Sequence, residues 1–305
     1  MNMADQTKAN NNSSHPFGIS TALGTPFSSD GSIDITRAVK HANHVLSIGA
    51  SSVTLFGTTG EGASLGLSEQ TELLDAMISA GISPDKIIAT ICSASLTDAQ
   101  NQALTFMERG VKRMLIAPPY YFNGISEDAL FAWYSEFAKA VLAGKPELIL
   151  YNIPQVTDVP VTAPLIRRLQ DQFGKLIFGV KDSSGNWDST ATLLKIEGLA
   201  VMVGDERHLA RASRLGAAGA ISGVANLFPD RMSAVLTTGK DDPKINSFAD
   251  DLVKLPVTAA IKAMIGSLHQ QSDWIRMRPP LESIPKADIA NLATHLSGLK
   301  AQDAG

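Results

Sequence analysis

Ile177-Phe178-Gly179-Val180-Lys181-Asp182-Ser183-Ser184-Gly185 is a short apolar run that ends in a lysine and breaks into a turn. Its length and composition fit a strand covered on both faces, and Asp-Ser-Ser-Gly is turn chemistry. A strand end is rigid, so it can hold an amine against a ketone. A lysine desolvated there can give up its proton and form a Schiff base. Taken alone, the segment reads more readily as a surface lysine opening a loop. The sequence on either side reverses that order.

Upstream, strand-like runs recur at 18–24, 51–56 (SSVTLF), 86–92, 113–117 (RMLIA) and 148–151 (LILY); downstream they recur at 199–203 and 217–222. Between them, apolar residues at helical spacing predict helices over 34–47, 68–80, 97–109, 126–142, 162–171, 188–197, 207–214 and 228–238. Ser68 is the candidate cap of the second helix, and Gly110 ends the third. Strands and helices alternating in this way argue for an α/β fold, a closed (β/α)8 TIM barrel. A doubly wound open sheet would carry a glycine-rich phosphate loop after the first strand, and Gly24-Thr25-Pro26-Phe27 does not match one. Helix-like stretches follow at 243–268, broken by Pro256, and at 286–298, so a C-terminal helical extension is expected. Asn and Ser dominate residues 10–14, so the chain is expected to divide into a disordered leader (1–16), a barrel (17–238) and a C-terminal helical region (239–305).

The 305 residues suffice for one large barrel, and 44% of them are hydrophobic against 18% charged. That balance is somewhat apolar for a soluble monomer, so some helix faces are expected against partner subunits. The net charge is -4, with no long basic block and no zinc-finger spacing, which argues against a nucleic-acid partner. The leader MNMADQTKANNNSSHPF has no apolar core of a signal peptide, and no later stretch has the length of a membrane span. A cytoplasmic protein with no membrane partner is expected. Cys92 is the single cysteine and lies in the apolar run IIATIC, where it reads as an inert buried thiol.

Catalytic groups of this fold gather at the C-terminal ends of its strands. Those ends carry Thr25-Pro26, Gly57-Thr58-Thr59-Gly60-Glu61, Pro118-Pro119-Tyr120-Tyr121, Tyr151-Asn152-Ile153-Pro154, Lys181, Gly204-Asp205-Glu206, and then Ser222 and Asn226. The set holds an amine, several hydroxyls and two glycine-flanked turns, but no histidine. His15, His41, His44, His208, His269 and His295 all fall in the leader or in helical segments. His41 and His44 are three apart on one helix, yet no strand end offers a third ligand, so a surface or helix-packing role is the better reading and no metal or cofactor is expected. Gly57-Thr58-Thr59-Gly60 can form a tight turn whose N–H groups and hydroxyls bind an anion, or a turn that is only structural. It contains no Lys or Arg, so a carboxylate fits at least as well as a phosphate. Tyr151 closes an apolar strand next to the strand of Lys181. It reads either as a core tyrosine or as a proton carrier, with Thr58 and Tyr121 extending the relay.

With these residues assembled, the chain resembles the N-acetylneuraminate lyase and dihydrodipicolinate synthase family of Schiff-base class I aldolases. The resemblance runs from about residue 18 to 296. It rests on TPF (25–27), GTTGE (57–61), PPYY (118–121), YNIP (151–154), GVKDSSG (179–185), GDE (204–206) and RPPL (278–281). It implies a (β/α)8 barrel with C-terminal helices, assembled as a homotetramer or homodimer. It implies that Lys181 forms the imine and that Tyr151 handles protons. Thr58 and Thr59, with backbone N–H groups of the Gly57–Gly60 turn, would hold the pyruvyl carboxylate. Tyr121 matches a tyrosine that reaches a neighbouring subunit's site.

The partner is expected to be a small 2-keto acid, pyruvate or a sugar acid. In dihydrodipicolinate synthases an arginine five residues after the tyrosine binds the second substrate's carboxylate; here that place is Val156, which cannot form a bidentate contact. Asp205 and Glu206 resemble residues with which sialic acid lyases bind the sugar tail, and Ser222 lies one residue before the place of a serine in those lyases. Capping of the following helix is the alternative for the acidic pair. The preferred reading is a pyruvate-dependent aldolase for a 2-keto-3-deoxy sugar acid or a related aldehyde. A dehydratase or deaminase using the same imine stands next to it, and a non-catalytic keto-acid-binding regulator is the alternative of another class. Arg278-Pro279-Pro280 reads as a rigid connection into the last helix.

Overall fold

Eight of the apolar runs form parallel strands that close on themselves: β1 (Gly18–Ala22), β2 (Ser52–Leu55), β3 (Ile87–Ile91), β4 (Arg113–Ile116), β5 (Glu147–Asn152), β6 (Ile177–Asp182), β7 (Ala200–Val203) and β8 (Gly219–Ser222). The computed structural model describes residues 17–301, so the expected leader lies outside the described residues. Each strand pairs with the next in sequence, and β1 also pairs with β8, from Gly18 opposite Gly219 to Thr21 opposite Ser222. The expected (β/α)8 barrel is the observed fold.

Helices α1 (Ile35–Ser47), α2 (Leu67–Ser79), α3 (Leu96–Glu108) and α4 (Glu127–Val141) follow the first four strands. After β5 come the short α5 (Pro154–Thr157) and then α6 (Ala163–Phe173); α7 (Trp187–Leu193), α8 (Leu209–Ser213) and α9 (Pro229–Thr238) complete the ring. Three details differ from the sequence expectation. The cap of α2 is Gly66, not Ser68: the Gly66 N–H donates to Glu69 Oε2 at 3.0 Å, and Ser68 sits inside the helix. The helix expected over 207–214 is a 3-10 turn at Glu206–His208 followed by α8. The turn of helix at α5, too short to show a period, was not anticipated.

Successive side chains of a strand point to opposite faces, so each strand divides its residues between two cores. Ile88, Leu115, Ile149, Tyr151, Met202 and Ile221 form a cluster inside the barrel. Their strand neighbours Ile87, Met114, Leu148, Leu150, Val180 and Val201 belong to the layer between strands and helices. Two-sided burial explains why the strands read as continuous apolar runs instead of alternating ones.

Beyond the barrel, Pro256 does end a helix: α10 (Pro243–Leu252) stops before it and α11 (Val257–His269) starts after it, with α12 (Lys286–Ala301) last. These elements share one hydrophobic cluster with the barrel. Phe248, Ile261, Ile265, Trp274, Leu292 and Leu296 pack with Ile19, Val203 and Ala220. Among the described residues no helix is long and apolar enough to cross a membrane.

Candidate active site

The register of the barrel sets Tyr151 directly opposite Lys181 at the ends of β5 and β6. Tyr151 belongs to the interior cluster, and Lys181 shares its face of the sheet, so both point into the barrel mouth. Lys181 Nζ donates to Tyr151 Oη at 3.0 Å and lies 4.2 Å from the centre of the same ring. Tyr151 Oη is in turn 3.2 Å from Thr58 Oγ1. The phenol oxygen thus links the amine and the Thr58 hydroxyl in one hydrogen-bonded chain, in which either hydroxyl of the Tyr151–Thr58 pair can donate. Lys181 is only 5% exposed, so the amine is largely removed from bulk water.

Thr58 comes from the turn after β2, whose backbone is unusual. Phe56 and Glu61, on either side of Gly57–Gly60, both have positive φ, 62° and 53°. Residues other than glycine rarely adopt this region, and they persist in it only where neighbours over-determine the conformation. Glu61 N–H donates to Thr58 O and Gly62 N–H to Gly57 O, which closes the turn. A Cβ on Gly62 would stand 1.6 Å from Phe56 O, and one on Gly60 would stand 2.8 Å from Leu23 O. Both glycines are therefore steric requirements of the turn. Thr25 Oγ1 donates to Gly60 O at 2.7 Å and fastens it to the end of β1. The Thr58, Thr59 and Gly60 N–H groups have no carbonyl acceptor among the described residues. Three successive N–H donors left without a backbone acceptor in one tight turn suit a carboxylate.

Behind the two strand ends, Asp182 accepts from Asn152 Nδ2 at 2.9 Å, from Ser184 N–H at 3.1 Å and from Thr190 Oγ1 at 2.7 Å. It faces away from the barrel interior and clamps β6 to β5 and α7, holding the backbone that carries Lys181. Asn226, in the 3-10 turn that follows β8, plays a similar part. Its Nδ2 donates to Ala22 O and Gly223 O, so its oxygen must be the acceptor for Gly24 N–H and for His41 Nε2. That places the His41 proton on Nε2, leaving Nδ1 to accept from His269 Nε2 at 2.9 Å. Burial pushes His41 down to about 3, so it stays neutral. The histidines of α1 and α11 thus join helix packing to the strand ends, and no group of three metal-binding side chains occurs among the described residues.

Other expected site residues do not converge on Lys181. Ser222 follows the inward Ile221, so its hydroxyl faces the helix layer; it donates to Glu206 Oε2 at 2.7 Å and accepts from Val224 N–H. Glu206 is half-buried, and burial raises its carboxyl to about 7, opposed by the Ser222 bond and reinforced by Asp205. Asp205 caps the turn after β7 and is gripped by the Arg207 guanidinium at 2.6 and 2.9 Å, which holds its carboxyl below the usual value against the burial that raises it. Capping, the alternative reading of the acidic pair, describes what Asp205 does in this chain. Tyr121 is 76% exposed and contacts Phe122, without joining the relay inside its own chain. Val156 is 61% exposed on α5, beside Gln155, whose Nε2 donates to Ser183 O. Cys92 packs against the interior cluster, its Sγ 3.7 Å from Phe56 O, and burial pushes its thiol up to about 12, which makes it inert.

Sequence reasoning missed Lys262. It is completely buried on α11 and its ammonium is paired with Glu61 of the turn. The signal was present: a single lysine inside Thr258-Ala259-Ala260-Ile261-Lys262-Ala263-Met264-Ile265-Gly266 has no polar face on which to be solvated. Arg278 was read as a rigid connector. It does more, bonding its guanidinium to Glu69, Ser64 O and Gly31 O.

Comparison with known proteins gives a consistent picture. Residues 15–297 match the model of the dihydrodipicolinate synthetase family. The chain is 34% identical over 222 residues to an uncharacterized DapA-like lyase of Chloroflexus aurantiacus, covering 72% of this chain and 74% of the relative. It is 31% identical to 4-hydroxy-tetrahydrodipicolinate synthase 1 of Streptomyces coelicolor, over 96% of this chain and 97% of that one. The crystal structure of dihydrodipicolinate synthase from Agrobacterium tumefaciens superposes with a TM-score of 0.90 at 43% identity, covering 93% of this chain and 99% of that chain.

Proposed function

This chain belongs to the dihydrodipicolinate synthetase and N-acetylneuraminate lyase family of Schiff-base class I aldolases, and from that premise we propose that it is a pyruvate-dependent lyase in which Lys181 forms the imine. The observation that carries the reading is the chain Lys181–Tyr151–Thr58 at the barrel mouth, with a strained turn of N–H donors beside it.

The neutral Lys181 amine attacks the C2 ketone of a 2-keto acid, and the Tyr151 phenol gives the carbonyl oxygen its proton. Loss of water leaves an iminium. In the cleavage direction the C4 hydroxyl surrenders its proton through Tyr151, the C3–C4 bond breaks, and its electron pair moves into the iminium to give an enamine. The aldehyde departs, C3 is protonated, and water hydrolyses the imine to free pyruvate and Lys181. Thr58, Thr59 and the N–H groups of the Gly57–Gly60 turn hold the carboxylate throughout. Donors set in advance at that position lower the barrier without reorganising during the reaction.

The names of the Streptomyces and Agrobacterium relatives suggest a second reading, synthesis of dihydrodipicolinate. Val156 weighs against it, because nothing at that position can pair with a second carboxylate. A neutral aldehyde or a shorter sugar acid suits an aliphatic side chain better. Dehydration or deamination would start from the same iminium and differ only in which bond the electrons break. Assembly into a homotetramer or homodimer, with the exposed Tyr121 entering a neighbour's site, completes the proposal.

Intact mass after borohydride reduction tests it, with pyruvate and then a panel of 2-keto-3-deoxy acids, on the wild type and Lys181→Ala. An adduct on the wild type that disappears in Lys181→Ala is expected, and the acid consumed with pyruvate release names the reaction. No adduct with any keto acid overturns the lyase reading in favour of a binding protein.

A further inference from the structure

The mechanism above uses Thr58 and Thr59 but leaves unexplained what keeps their turn in a conformation flanked by two left-handed residues. The answer lies about 200 residues away. The Glu61 carboxylate takes the ammonium of Lys262 on one oxygen and Arg278 N–H at 2.9 Å on the other. Lys262 Nζ also donates to Arg276 O at 2.6 Å and sits 4.4 Å from the centre of the Phe27 ring, so the cation is enclosed on every side. One turn earlier on the same helix, Thr258 Oγ1 donates to Thr58 O at 3.3 Å. Residues four apart share a helix face. The same face of α11 therefore grips both ends of the turn, Thr58 through Thr258 and Glu61 through Lys262.

We propose that Glu61 and Lys262 are positioning residues: their buried ion pair fixes the turn in its anion-binding shape, so that the C-terminal helices set the affinity for the keto acid's carboxylate. This rests on reading the turn as the carboxylate site. The geometry favours positioning over bulk stability alone. The carboxylate belongs to the last residue of the turn, whose own N–H closes on Thr58 O, and its partners all come from α11 and the segment that follows it. Freed from them, Glu61 would relax out of positive φ, and the N–H groups of Thr59 and Gly60 would rotate with it.

The test separates the two roles by exploiting a property of buried pairs. Removing one partner strands a charge and destabilises, whereas removing both charges together is close to neutral. The proteins are wild type, Glu61→Gln, Lys262→Met and the double variant; Gln keeps an acceptor for Arg278 N–H. Borohydride trapping is followed against pyruvate concentration, with thermal unfolding alongside. The singles should melt lower and the double should recover. The double should still need about ten-fold or more pyruvate for half-maximal trapping, because a small displacement of a binding group is costly, while its limiting rate stays near that of the wild type. A double variant with both the melting temperature and the half-saturating pyruvate of the wild type overturns the proposal. Hydrogen exchange of the peptide covering residues 56–66 is read on the same proteins. Faster exchange there in the double variant supports positioning, and unchanged exchange overturns it. If the wild type itself takes no pyruvate adduct, the imine reading falls, and the exchange comparison still decides whether the pair holds the turn.

Discussion

One phenol oxygen connects the amine of Lys181 to the hydroxyl of Thr58, at 3.0 and 3.2 Å. Tyr151→Phe removes that oxygen and keeps the ring that packs in the barrel interior. The rate of imine trapping with pyruvate should fall roughly 10²–10⁴-fold, the range for a positioned proton donor, with the melting temperature almost unchanged. A variant that traps at the wild-type rate would assign Tyr151 to packing. Glu206 offers a test by pH. Burial raises its carboxyl from 4.5 to about 7, so the fold favours the protonated form. Its stabilising contribution is complete below the unfolded value and is lost as pH rises through about 7. Glu206→Gln stays uncharged, so its melting temperature relative to wild type should climb between pH 5 and 8; parallel curves would show that Glu206 does not titrate there. Lys181 was legible only in company: alone its segment reads as a surface lysine opening a loop, and the strand-end tyrosine, the threonine pair and the family motifs reverse that. Lys262 is anomalous among its apolar neighbours, but its meaning depends on Glu61, 201 residues away in sequence.

At the scale of an element, the turn from Phe56 to Gly62 is where local sequence and long-range structure meet. Gly57 and Gly60 were readable as turn residues and Gly62 was not, because which glycine is indispensable depends on what comes near. Gly62→Ala would drive a Cβ to 1.6 Å from Phe56 O, whereas the nearest atom to a Cβ on Gly57 is Thr90 Oγ1 at 3.5 Å. Gly62→Ala is expected to abolish pyruvate trapping and lower the melting temperature, and Gly57→Ala to be far milder; equal behaviour in both assays would refute the steric account. The same scale explains the boundaries that sequence patterns misjudged. The Ser68 cap failed because Gly66, with Glu69 reaching back to its N–H, starts the helix earlier. The helix after β7 begins as a 3-10 turn because Asp205 is committed to capping and to Arg207.

For the whole molecule, the C-terminal helices are part of the barrel's core rather than an attachment to it. Ile19, Val203 and Ala220 of the strands share a cluster with Phe248, Ile261, Trp274 and Leu296. A chain ending at Gly239 would bare that surface and remove Lys262, so it should aggregate and show no cooperative melt; a soluble fragment with a sharp transition would refute the shared core. The sequence by itself determined the order of strands and helices, the closed barrel and the strand-end position of Lys181. The elements were readable because periodicity and turn residues act within a few residues, and the count of eight strand–helix units of two-sided apolar strands, with no phosphate loop after the first, pointed to closure. Only the tertiary structure decided that Tyr151 and Thr58 bond in series with Lys181, that Ser222 faces away from it, that Arg207 occupies Asp205, and that Lys262 anchors the turn. Those outcomes follow from barrel register and from contacts between segments distant in sequence, whose free energy appears only when the chain closes on itself.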